Sequence, residues 1–264
     1  MLAFAFGATA YTWLTLPDVR TLRTQNPKTT AFIELRSREA VSKGETPRRV
    51  QRWVPYRSIS PNLTRAVLVA EDGTFWQHDG VDYVQLRDAF EVSLERLEFV
   101  RGASTITQQL AKNLYLTPDR NPIRKLRELL IARRLEAELS KQRILELYLN
   151  VIEWGDGIYG AEAAAREYFR TSAAALSPQE ASLLAAGIIN PRLFDIGHPS
   201  ARLRRRQQMI LGRLGLARPP QSIDDKVATP DDVPALPSLP SAVPETLPGE
   251  IVPPPPPGGG RGGH

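Results

Sequence analysis

Two adjacent acids, Glu71 and Asp72, close the apolar run of "AVLVAEDGTFWQHDG" and are followed by Gly73, Phe75, Trp76, His78 and Gly80. A carboxylate held in such a turn is suited to proton transfer. If the run is a helix, its acids sit against the negative end of the macrodipole, which is locally unfavourable. A solvated helix end is the plain reading of the pair, and a lone histidine is more often structural. Conflict with local preference is nonetheless where a functional site is expected.

A second stretch, "GASTITQQLAKNLYL", puts Thr105, Gln109 and Lys112 on one side of a helix, with Gln108 also a neighbour of Lys112. Such a row is either a wet face or a holder for a ligand with many hydroxyls and an anion. In the third, "TPDRNPIRKLRELLIARRLEAE", Arg120, Arg124, Lys125 and Arg127 crowd a helix start, and Glu128 lies one turn beyond Arg124. Cations there oppose the macrodipole, and an anionic ligand, phosphate above all, would remove the conflict. A surface Arg124–Glu128 pair, worth a few tenths of a kcal/mol, does not explain so many cations.

The elements that must position these groups are mostly helical. Ser60-Pro61 opens a helix toward Glu71, and another starts near Asp82 with the stripe Leu86, Phe90, Leu94 and Leu97. Ser104 or Thr105 caps the next. Asn121-Pro122 begins a long one, Ser140 a further one, and Ser177-Pro178-Gln179-Glu180 is a capping box. The last helix runs from Ala201 to Leu214 with Gly215 placed to end it. Residues 30–57 alternate loosely and predict a short β-hairpin. The fold class is mainly α, with no β-α alternation.

Composition sets the ends apart. Residues 1–16 carry no charge and are short of the roughly 20 residues that span a bilayer. They predict a membrane anchor, cut short at Met1, followed by a membrane-proximal linker and hairpin over 17–54. Residues 219–264 hold 13 of the 23 prolines and a Gly-rich finish, a composition expected to stay disordered. Six acids against Lys226 and Arg261 leave that tail at −4, so with +5 overall the rest carries +9. A basic body beside an apolar anchor suits an anionic substrate at a membrane surface. No aromatic-basic interleaving or zinc spacing points to nucleic acid. With no cysteine, disulfides and thiolate chemistry are excluded.

"EDGTFWQHDGVD", "GASTITQQLAKN", "RKLRELLIARRLE" and "KQRILELYLNVIEWGDGIYGAEAAAREYF" resemble, in order and spacing, the motifs of family 51 peptidoglycan glycosyltransferases, and "RRQQMIL" resembles the family's last, weaker motif. The resemblance spans about residues 55–215, within an expected catalytic domain of 55–218. No serine is followed three residues later by lysine, so it is to the form without an acylating domain.

The resemblance implies a lysozyme-like fold with a small jaw lobe, in an inner-membrane enzyme with a single N-terminal anchor and a periplasmic catalytic domain. Its substrates would be lipid II and the growing glycan strand. Glu71 matches the family's base, and Glu128 its second glutamate, acting directly or through a divalent cation, Mg2+ or Mn2+. Lys112, Arg120 and Arg127 fall at cationic positions, with Arg124 beside them. Asp72, Phe75, His78, Ser104, Gln108 and Gln109 match positions that shape the cleft or hold sugars. No organic cofactor is implied; the bilayer and penicillin-binding or divisome proteins are the expected partners. A lytic transglycosylase or lysozyme, or a non-catalytic cell-wall scaffold, would share the fold but needs no pyrophosphate cradle.

Overall fold

The computed structural model describes residues 15–87, 104–118 and 121–215. These residues include eight α-helices: α1 Ala31–Ser42, α2 Pro61–Glu71, α3 Ile106–Tyr115, α4 Pro122–Glu138, α5 Lys141–Val151, α6 Ala161–Phe169, α7 Pro178–Gly187 and α8 Ala201–Leu214. A helical stretch also begins at 83–87, where Asp82 Oδ1 accepts from Gln85 N. The rest of that predicted stripe lies outside the described residues, as do residues 1–14 and the predicted tail.

Helix starts are fixed locally. Ser60, Thr105, Asn121, Ser140 and Ser200 each accept a backbone N–H of the first turn through their side chains. Proline at the first helical position opens α2, α4 and α7. Ser177 and Glu180 form the reciprocal capping box at α7, satisfying two otherwise orphaned donors. Gly215 sits at the α8 C-cap as expected, but in right-handed conformation.

Packing gathers the helices into two groups, α2 with α7 and α8, and α3 with α4 and α5. Helix α5 is the centre of the second: Ile144, Leu145, Leu147, Tyr148, Leu149 and Val151 are all fully buried. A helix with so broad an apolar face belongs against the core, where its neighbours then find a fixed surface to pack against.

The hairpin predicted over 30–57 is corrected. Residues 31–42 form α1, capped by Thr30, whose side chain accepts from Ile33 N. The helix buries only Ile33 and carries an Arg36–Glu39 pair at i,i+3, so charge on three sides outweighs the weak alternation. The strand that does form, β1 Val50–Gln51, pairs in parallel with β3 Ile158–Tyr159, which is antiparallel to β2 Glu153–Gly155. The hairpin is therefore β2–β3, about 100 residues downstream, with β1 added at its edge. Gly157 turns it at φ 68°, and a Cβ there would stand 2.5 Å from Arg48 O. Among the described residues no helix is long and apolar enough to cross a membrane.

Candidate active site

Glu71 is the last residue of α2 and Asp72 its C-cap. Asp72 is buried, and its Oδ2 accepts from Ile106 N at 2.8 Å while His78 Nε2 lies 3.0 Å from Oδ1. Ile106 begins α3, so the acid that opposes one macrodipole caps the favourable end of another. Gly80 N donates to His78 Nδ1 at 3.1 Å, which leaves Nε2–H to donate to Asp72. Gly80 has φ 82°, and a Cβ there would come within 2.9 Å of Glu136 Cγ. Phe75 is fully buried, edge-on to Trp76 and His78, with Lys141 Nζ 4.5 Å from its ring centre. Asp72, Phe75 and His78 thus build the wall of the turn and expose little surface to a ligand.

What the turn presents is Glu71, its side chain 13 % exposed. Oε2 accepts from Gln109 Nε2 at 3.0 Å, and Arg206 Nη2 donates to Oε1 at 3.4 Å. Burial pushes the carboxyl above its ordinary range, against the opposing pull of Gln109, Arg206 and Lys112. A carboxylate aimed by two donors, yet more basic than usual, is equipped to take a proton.

The second glutamate is held differently. Glu128 is buried on α4 between Arg124, 2.7 Å from Oε2, and Lys125, 2.5 Å from Oε1. Lys125 also donates to Ser104 Oγ at 3.2 Å and to buried Gln108 Oε1 at 3.3 Å, fastening α4 to the start of α3. Lys112 faces the same space from α3. Burial lowers its pKa, opposed by Glu128 and Glu71 and assisted by Arg124 and Lys125. Its ammonium makes no hydrogen bond to the described residues, so its donors are available to an anion.

Of the predicted site residues, Glu71, Asp72, His78, Ser104, Gln108, Gln109, Lys112, Arg124 and Glu128 come together along α3. Arg127 does not join them. On α4 it turns to Thr15, donating to its side chain and carbonyl at 3.0 and 3.1 Å, because i, i+3 and i+4 place Lys125 and Arg124 on the Glu128 face and Arg127 off it. Lys125 takes that place in the cluster, and its spacing to Glu128 was the available signal. Arg120 lies outside the described residues. Arg206 and Tyr148 also reach this site with no local mark in the sequence: one is an arginine among Arg202, Arg204, Arg205 and Arg206, the other lies on the buried face of α5.

Both oxygens of Glu128 are engaged, and among the described residues no group of three His, Cys, Asp or Glu is placed to hold a metal ion. Among the described residues, this donor set does not fit a resident Mg2+ or Mn2+.

Two titrations bracket the site. Glu71 must be ionised to act as a base, and Lys112 must be charged to hold an anion. The pH profile of turnover should therefore rise above the ordinary glutamate value of about 4.3 and fall before the ordinary lysine value of about 10.4. Initial rates across that range check both limbs. A profile flat from pH 4 to 6 would exclude Glu71 as the titrating base.

A base beside a cation cluster is the arrangement that glycosyl transfer with an anionic leaving group requires, and comparison with known proteins gives the same answer. The family model described as Transglycosylase matches residues 38–215. A protein of Nitrosospira multiformis named biosynthetic peptidoglycan transglycosylase is 45 % identical over 195 residues, covering 74 % of this chain and 85 % of that protein. Proteins of the same name from Herminiimonas arsenicoxydans and Chromobacterium violaceum are 46 % identical over 195 residues and 49 % over 169. These cover 74 % and 64 % of this chain, and 84 % and 74 % of those proteins. With two thirds of its length matched and its acid and cation motifs brought together along α3, the chain belongs to the transglycosylase family.

Proposed function

We propose that this protein is a peptidoglycan glycosyltransferase that polymerises lipid II into β-1,4-linked glycan. The observation that carries the reading is the pairing of Glu71, a buried and donor-fixed carboxylate, with Lys112, a cation whose hydrogen-bonding capacity is unused among the described residues. Glu71 accepts the proton of the acceptor's 4-hydroxyl as that oxygen attacks the anomeric carbon of the donor. The new C–O bond forms on the face opposite the breaking bond to undecaprenyl pyrophosphate, so the configuration inverts. Negative charge grows on the departing pyrophosphate, and Lys112 meets it, backed by Arg124 and Lys125. Glu128 holds those two cations at fixed positions, and solvent relieves Glu71 of its proton afterwards.

A peptidoglycan-building activity places the enzyme in the cell envelope. Its attachment to the inner membrane through residues 1–16, with the catalytic domain outside, belongs to the proposal. The absence of charge in that segment and the basic body support it. Penicillin-binding or divisome proteins are proposed as partners on the same functional ground.

The protein should lengthen glycan from lipid II and leave finished, uncross-linked glycan intact. Gel analysis of labelled products from both substrates tests this. Cleavage of finished glycan would favour the lytic reading, and inertness toward both would favour a scaffold.

A further inference from the structure

The groups that hold the base are themselves held. Gln109 Nε2, which donates to Glu71 Oε2 at 3.0 Å, also reaches Ser104 O at 3.5 Å. Its Oε1 accepts from Tyr148 Oη at 2.8 Å. An amide side chain can turn over and exchange its oxygen for its nitrogen, and its partners decide which way it rests. Here both N–H groups point at acceptors and the oxygen receives a hydroxyl. A flip would put the Gln109 oxygen against the Glu71 carboxylate, acceptor to acceptor.

Tyr148 lies on α5, Gln109 on α3 and Glu71 at the end of α2, so the chain of hydrogen bonds crosses three helices. Tyr148 is fully buried, with α5 packed against α3, so its hydroxyl has little freedom to seek another partner.

We propose that Tyr148 is a positioning residue for the base: its hydroxyl locks the Gln109 amide, and the locked amide aims the Glu71 carboxylate at the acceptor hydroxyl. This rests on Glu71 being the base. Burial raises the Tyr148 phenol well above its ordinary range, so it stays a donor throughout the working pH range. Glu71 is faced by Gln109 and Lys112 from α3, Arg206 from α8, Tyr148 from α5 and its neighbour Asp72. Of its two hydrogen-bond partners among the described residues, Gln109 and Arg206, Gln109 is the one whose orientation is set by another side chain.

Removing only the hydroxyl in Tyr148→Phe leaves Gln109 Oε1 without its donor, and the amide turns or withdraws. The ionised form of Glu71 then loses a hydrogen bond, so the acid limb of the pH profile should move to higher pH. Misaiming the base should lower kcat by about ten- to a hundredfold. KM for lipid II should stay within about twofold, since Tyr148 lies behind the site and the loss falls on the transition state alone.

The deciding experiment is a cycle of Tyr148→Phe, Gln109→Leu and the double variant, with kcat, KM and pH profile measured for each. If Tyr148 acts through Gln109, the double variant should be no slower than Gln109→Leu alone. It should also be no less stable than Gln109→Leu alone, because the Tyr148 hydroxyl that Gln109→Leu strands is gone with its partner. That keeps the cycle readable if Tyr148→Phe alone folds poorly. Losses that multiply in the double variant, with the acid limb unmoved in Tyr148→Phe, would overturn the inference. The base assignment fails separately, by persistence of activity in Glu71→Gln.

Discussion

Glu71→Gln is expected to abolish glycan polymerisation while leaving the protein folded and able to bind its donor. Glutamine keeps the shape of the side chain and can still accept from Gln109 or face Arg206, but it takes no proton. The chemical step should fall by about two to four orders of magnitude, the usual worth of a general base. Stability should move the other way. Burial raises the Glu71 pKa in the folded state above its unfolded value, so the fold favours the neutral form. That contribution is fully present below the unfolded carboxylate pKa and is lost as pH rises through the folded value. Glutamine imitates the neutral form at every pH, so at neutral pH the variant should melt at or above the wild-type temperature. Single-turnover rates on lipid II beside thermal unfolding measure both effects. Polymerisation near the wild-type rate would remove Glu71 from the mechanism.

Lys112→Ala should fail in a different way. The ammonium faces Glu71 and Glu128 and has no hydrogen bond to the described residues, so an anion bound there would be its partner in both ground and transition states. Its loss should weaken binding of a lipid-pyrophosphate analogue and also slow turnover. Removing one preorganised donor from a developing oxyanion costs about a hundred- to a thousandfold in rate. Because the contact is not confined to the transition state, part of the loss should appear as weaker donor binding. Glu71→Gln should leave that binding near wild type. Analogue affinity by calorimetry, set beside turnover, distinguishes the variants, and unchanged affinity in Lys112→Ala would place the pyrophosphate elsewhere.

Much of the scaffold was legible in the chain. Ser60, Thr105, Asn121, Ser140, Ser177 and Ser200 stand where helices begin because a side-chain oxygen competes for first-turn N–H groups whatever the tertiary context. The spacing of Arg124 and Glu128 likewise determined their pairing, since one helical turn separates them. The adjacency of Glu71 and Asp72 flagged the site but not the division of labour. Only the approach of α3 turned Asp72 into a cap for Ile106 and left Glu71 to face Gln109.

The remainder depended on contacts between residues far apart in the chain, to which no local pattern is sensitive. Residues 31–42 became helix, and Val50–Gln51 found their partner at 158–159, because edge pairing is decided by which backbone arrives alongside. Arg206 reaches Glu71 across 135 residues and Tyr148 reaches Gln109 across 39. The sequence by itself determined which groups could do chemistry and which helices would carry them. The tertiary structure decided which of those groups are aimed and which are turned away, because burial and partner geometry, properties of the packed interior, set both the direction of a side chain and the state of its proton.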